Sequence, residues 1–223
     1  MRVKICGATH LAEVELLAAA GVDFVGLWHG VPGGRTELGL TELTRLAAAA
    51  HRTQRLQPIL VTLVSTVDDL APVVAQSGIE WVQLHGYQQP GVVRAVKAAC
   101  PHTTVVKVLH VKNGECVERA LIRAYERSGV DIFLLDALSA DGRIGSTAQT
   151  IDPSAAQRIA EAVDRPIMLA GGLTATNFAR YRPLVEHPRF FGIDVDSGAR
   201  NSDGRISERR VAEIRDQWTV VAQ

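Results

Sequence analysis

The feature that most constrains this chain is an alternation. Short runs rich in Val, Ile, Leu and Phe are separated by longer, Ala-rich amphipathic stretches, and the pair recurs eight times. Such short, continuously apolar runs suit strands buried on both faces of a parallel sheet, and the amphipathic stretches suit the helices that cover them. The pattern predicts strands at residues 2–6, 24–27, 58–64, 81–84, 104–108, 132–135, 167–170 and 191–195. It predicts helices at 11–20, 40–51, 67–77, 90–99, 116–128, 153–163, 174–182 and 207–217. Several ends carry boundary chemistry. Asp152 precedes Pro153 at a first turn, Ser207 stands before Glu208, and Gly21, Gly78 and Gly129 follow helices as C-terminal caps. Eight pairs with no break in composition leave no room for a linker, so residues 1–223 read as one domain. A closed barrel removes every sheet edge, whereas an open doubly wound sheet needs a reversal of strand order that nothing in the chain signals. The expected fold is α/β, a single (β/α)8 TIM barrel.

Hydrophobic residues make up 47% of the chain and aromatics only 5%, which calls for an aliphatic core. Lys plus Arg and Asp plus Glu number 24 each, so no global field draws the chain to nucleic acid or an anionic membrane, and any anion must be held locally. Cys6, Cys100 and Cys116 are an odd number in no CxxC arrangement, which argues against a disulfide framework and fits a reducing cytosol. The start MRVKICGATH has no apolar run behind its basic residues, and no segment approaches the roughly 18 to 20 apolar residues of a membrane span. A cytoplasmic protein is expected. Seven histidines show neither HxH nor HExxH spacing, so no metal is expected.

In a (β/α)8 barrel the reactive groups stand at the C-terminal ends of the strands and in the loops that follow. The polar groups there are Cys6, residues 29–35, His85, the loop after Val108, Asp136, Gly171 with Gly172, and residues 194–200. Cys6 alone reads more simply as a small core residue, and Cys100 and Cys116 read that way too. Asp136 closes an apolar run. It is either a capping or salt-bridged carboxylate or, half-shielded by the barrel wall, a general acid of raised pKa. The AGGL at 170–173 and the DVDSG at 194–198 run off the seventh and eighth strands, where backbone N–H groups can converge on one phosphate. Gly171, Gly172, Asp194, Ser197 and Gly198 are the candidates for that task.

Five segments, KICGAT at the start, VQLHG at 82–86, LLD ending at Asp136, AGGL and DVDSG, resemble in order and separation the signatures of the phosphoribosylanthranilate isomerases. The resemblance spans nearly the whole chain and implies the same barrel. It implies an Amadori rearrangement of a small phosphosugar without metal or other cofactor, in tryptophan biosynthesis, by a monomer or homodimer. Asp136 is then the acid that protonates the furanose oxygen and Cys6 the base that takes the proton from C2. Arg35 would hold the anthranilate carboxylate by two parallel hydrogen bonds, and His85 would touch substrate or serve as a structural hydrogen bonder.

The chain also departs from the family. Residues 27–35, LWHGVPGGR, replace an aromatic and Lys- or Ser-containing stretch, and His29 there is a candidate specificity contact. The glycine motif after Asp136 is represented by residues 142–145, with Gly145 the candidate phosphate contact, and a short insertion follows. Asp196 stands in place of a serine and Arg200 in place of a glutamate. A carboxylate near a phosphate repels it unless neutralised, and Arg200 is placed to do so. These departures keep two rivals open: a paralogue isomerising another N-glycosylated amine, and a catalytically retired barrel that binds a ligand or partner. A ring-closing synthase on a related phosphate-binding barrel would call for lysine and glutamate at several strand ends, which are not evident in the chain.

Overall fold

Each apolar run becomes a strand, and every barrel strand pairs in parallel with its sequence neighbour. The computed structural model describes residues 1–138 and 149–219. The strands are β1 (Arg2–Cys6), β2 (Phe24–Trp28), β3 (Gln57–Thr62), β4 (Trp81–Leu84), β5 (Thr104–Lys112), β6 (Ile132–Ala137), β7 (Ile167–Leu169) and β8 (Phe190–Val195). They pair in that order, and β8 closes on β1 with Lys4 opposite Asp194. No barrel strand is left with an open edge, which is the condition for the closed (β/α)8 barrel expected from the alternation.

The covering helices are α1 (Leu11–Ala19), α2 (Leu40–Arg52), α3 (Val67–Ser77), α4 (Pro90–Ala99), α5 (Ile122–Arg127), α6 (Pro153–Ala162), α7 (Arg182–Val185) and α8 (Glu208–Thr219). Their buried faces pack on the outward side chains of the strands. In α2 these are Leu43, Leu46, Ala47, Ala49 and Ala50, and the small alanines let the helix lie close to the sheet. Boundary residues act as their chemistry dictates. Asp152 accepts the N–H of Ala155 ahead of Pro153, and Gly78 ends α3 in a left-handed conformation.

Two helices differ from the sequence expectation. The helix expected at 116–128 is reduced to a 3-10 turn, Arg119–Leu121, and the short α5, because the chain first makes a hairpin. Glu115–Cys116 pairs antiparallel with the end of β5. Asn113 and Gly114 form the two-residue turn with φ of 52° and 79°, the Asn-Gly preference of tight hairpins. The helix expected at 174–182 is a 3-10 turn, Phe178–Tyr181, followed by the four-residue α7. Here the side chain of Asn177 bonds the backbone of Gly172 and Thr174, and Phe178 and Tyr181 pack on Trp218, so local bonding and aromatic packing override the helical periodicity.

Inside the barrel, the N-terminal end is plugged by Phe24, Trp81 and Phe191, whose ring centroids lie 4.8 to 6.4 Å apart. Val106, Val108, Leu134 and Met168 fill the next space. The C-terminal end, by contrast, is polar. Among the described residues no helix is long and apolar enough to cross a membrane.

Candidate active site

Side chains alternate along a strand, so residues two apart on β1, Lys4 and Cys6, share one side of it. Lys4 is wholly buried, and its ammonium has three protons and three acceptors. Asp194 Oδ2 of β8 lies 2.6 Å away, Gln83 Oε1 of β4 2.7 Å, and Cys6 Sγ 3.4 Å. Burial works against the charge, but the Asp194 carboxylate and the Cys6 sulfur outweigh it and lift the lysine pKa above its usual value. Gln83 turns its Nε2 to Nδ1 of His85 at 2.8 Å. That bond makes Nδ1 the acceptor and leaves the ring proton on Nε2, which faces Asp136 Oδ2 at 3.5 Å. Cys6 and Asp136, 130 positions apart, are thus joined by one run of polar contacts through Lys4, Gln83 and His85 across the barrel.

Burial pushes the two ends of this run the same way. It raises the Asp136 carboxyl to about 7, helped by the nearby Asp194 charge and offset by the Ala137 N–H. It pushes the Cys6 thiol up to about 12, although Lys4 and the indole N–H of Trp28 oppose the shift. Burial also drives His85 well below the usual histidine value, with His110 adding to the effect, so a neutral His85 faces Asp136. His110 in turn is bracketed by Glu118 Oε1 at 2.6 Å and the backbone carbonyl of His85 at 3.0 Å, which pins the end of β4.

Among the described residues, two cations answer the expected repulsion at Asp196. Arg200, 5% exposed, donates Nε to Asp196 Oδ1 at 2.7 Å and reaches the carbonyls of Cys6 and Gly7 with Nη2. Arg35 donates Nη2 to both Asp196 oxygens at 2.6 Å. The candidate carboxylate reader is therefore already engaged by an internal carboxylate, through one of its three guanidinium nitrogens. His29 donates Nδ1 to the Leu38 carbonyl at 2.7 Å.

The two glycine loops meet. Gly171 and Gly172 adopt φ of 85° and 56°, and the 3-10 turn Ser197–Ala199 packs on the first loop so closely that a Cβ on Gly198 would collide with the Leu173 carbonyl. Their backbones form one rim above β7 and β8. Gly145 lies outside the described residues. Among those described, no group of three or more His, Cys, Asp or Glu is arranged to hold a metal.

Three participants carried no signal strong enough to be singled out beforehand: Lys4, Gln83 and Trp28. Each sits inside a noted motif or loop, but only barrel closure brings them together. The Lys4 and Asp194 pair gives a direct test. Lys4→Met leaves a buried carboxylate without its cation and is expected to lower unfolding free energy by about 3 to 5 kcal/mol. Denaturant melts measure it, and a loss of a few tenths would mean the pair contributes little.

Residues 3–217 match the family model of N-(5'phosphoribosyl)anthranilate (PRA) isomerase. The chain is 30% identical over 212 residues to N-(5'-phosphoribosyl)anthranilate isomerase 2 of Methanosarcina mazei, covering 95% of this chain and 91% of that protein. It is 31% identical over 228 residues to the isomerase of Synechocystis sp., covering 100% and 97%. In structure it is similar to the phosphoribosyl anthranilate isomerase of Thermus thermophilus, with a TM-score of 0.81 at 21% identity and coverage of 99% and 100%. A looser likeness to 3-hexulose-6-phosphate synthase, TM-score 0.69 at 18% identity, reflects the shared barrel alone. With the family model matched over almost the full length of a barrel that aligns Cys6 and Asp136 along one polar run, the chain belongs to the N-(5'-phosphoribosyl)anthranilate isomerase family.

Proposed function

We propose that this chain, acting as one catalytic domain, isomerises N-(5-phosphoribosyl)anthranilate to 1-(2-carboxyphenylamino)-1-deoxyribulose 5-phosphate by general acid–base catalysis. The observation that carries the reading is the polar run from Cys6 to Asp136 at the barrel mouth, with a carboxyl that retains its proton near neutral pH at one end. Asp136 gives its proton to the furanose oxygen as the C1–O bond breaks and the amine lone pair forms the iminium. Cys6 as thiolate takes the C2 proton, and the freed pair makes the C1–C2 double bond of the enolamine. Protonation at C1 and loss of the C2 hydroxyl proton then give the ketone, so the reaction is redox-neutral overall. The glycine rim at Gly171, Gly172, Ser197 and Gly198 receives the phosphate, and Asp194 serves indirectly by holding Lys4.

Chemically generated phosphoribosylanthranilate is fluorescent, and catalysed loss of that signal at micromolar enzyme is the expected result. Binding without turnover would instead mark a retired barrel. Arg35 offers a sharper test of the aromatic end. Substrate carboxylate is expected to take the guanidinium edge that Asp196 leaves free, so Arg35→Lys should raise KM by roughly one to two powers of ten with a smaller change in kcat. An unchanged KM would favour the second reading, a different N-glycosylated amine, for which the engagement of Arg35 by Asp196 is the supporting observation.

A further inference from the structure

The indole of Trp28 lies in the wall of the mouth, 8% exposed, and its N–H points at Cys6 Sγ at 3.0 Å. A buried indole N–H is a donor that needs an acceptor, and a neutral thiol is a poor one. A thiolate is a good one, because hydrogen bonds to an ionised acceptor are roughly twice as strong. The surroundings keep this pair in register. Any side chain at Gly26 would meet Cys6 Sγ at 2.6 Å, so the glycine opens the slot in which the sulfur sits between Lys4 and Trp28. On the far side, the backbone of Trp28 is tied to Leu38, and Gly34 lies so near the ring that a Cβ there would stand 3.1 Å from it. Glu37 bonds the N–H groups of Gly30 and Val31 and so braces the same loop. The divergent loop of residues 27–35 is thus built around the indole. Lys4 also faces the sulfur, but at 3.4 Å and with its charge drawn to Asp194 at 2.6 Å.

We infer that Trp28 is a positioning residue whose indole N–H stabilises the thiolate form of Cys6 relative to the thiol. The inference rests on Cys6 being the base of the proposed reaction. Trp28 acts through the sulfur, so its loss lowers the thiolate population without removing a group that binds substrate.

The test pairs two measurements on Trp28→Phe, which keeps an aromatic ring and loses the donor. Labelling of Cys6 by the small neutral reagent methyl methanethiosulfonate, located by peptide mass, is expected to slow about tenfold at each pH from about 7 to 10, as the thiolate fraction falls. In the same variant kcat is expected to fall by about the same factor with KM within about twofold. Trp28→His, which restores a ring N–H, should recover part of both. Labelling no slower than in the wild type overturns the inference. So does a raised KM with kcat and labelling unchanged, which would make the indole a wall for the aglycone. If the wild type fails to turn over phosphoribosylanthranilate but the labelling difference stands, the substrate reading fails and the role of Trp28 survives.

Discussion

Asp136→Asn is expected to lower kcat by about two to four powers of ten, the usual contribution of a positioned general acid, and at the same time to stabilise the fold at alkaline pH. Both effects have one cause. Burial raises the Asp136 carboxyl from an ordinary value of 3.8 to about 7. A raised carboxyl pKa means that the folded chain holds this proton more tightly than the unfolded chain. The wild type therefore bears no penalty at acid pH below the ordinary value, and loses stability progressively as pH rises to about 7. Three units correspond to about 4 kcal/mol as an upper bound, a burden that asparagine lacks. Denaturant melts at pH 4 and pH 8 measure it: the two proteins should converge at the lower pH and separate, with the variant more stable, at the higher. A variant equally sensitive to pH would show that Asp136 is not the group strained by burial.

Cys6→Ser is expected to cost a similar two to four powers of ten, since a hydroxyl is a far weaker base than a thiolate. What distinguishes the two variants is the shape of their pH profiles. Burial puts the Asp136 carboxyl at about 7 and the Cys6 thiol at about 12, so the form that the proposed reaction requires, protonated Asp136 with ionised Cys6, is the minority arrangement. The gap of about 12 minus about 7 leaves roughly one molecule in 10⁵ in that form at any pH between the two values. In the wild type kcat/KM should then climb tenfold per pH unit up to about 7 and stay level above it. Removing the acid leaves only the thiolate dependence, so Asp136→Asn should keep climbing with no break near 7. Removing the thiol leaves only the acid, so Cys6→Ser should decline above about 7. A Cys6→Ser profile that rises through that range would reject the assignment of the two roles. The same arithmetic explains why donors around the sulfur matter: each one enlarges a small reactive population.

How much was legible beforehand differs from residue to residue. Cys6 and Asp136 could be named because each closes an apolar strand and lies in a motif, and strand ends map onto one face of any barrel. The glycine-bearing loops at 171–172 and 198 were legible for the same reason. The turn at Asn113 and Gly114 was equally visible as a hairpin signal, but the helical periodicity of the following segment obscured it. Lys4 lies inside KICGAT and Gln83 inside VQLHG, yet the sequence alone gives neither a role. A lysine in an apolar strand has meaning only when its partners are known, and these come from strands 79 and 190 positions away. The need of Asp196 for a cation and the answer from Arg200 are local in the chain, whereas Arg35 reaches the same carboxylate from a loop 161 positions distant.

The chain by itself determined the architecture. Periodicity of apolar side chains, glycine and proline at the boundaries, and balanced charge are local properties, and eight repeats of them admit few ways to bury the sheet. Tertiary structure decided the protonation chemistry. Whether Asp136 retains its proton, whether Cys6 meets an ammonium and an indole, and whether Arg35 is free or engaged all depend on burial and on charges a few ångströms away. Such distances between residues remote in sequence exist only once the barrel has closed.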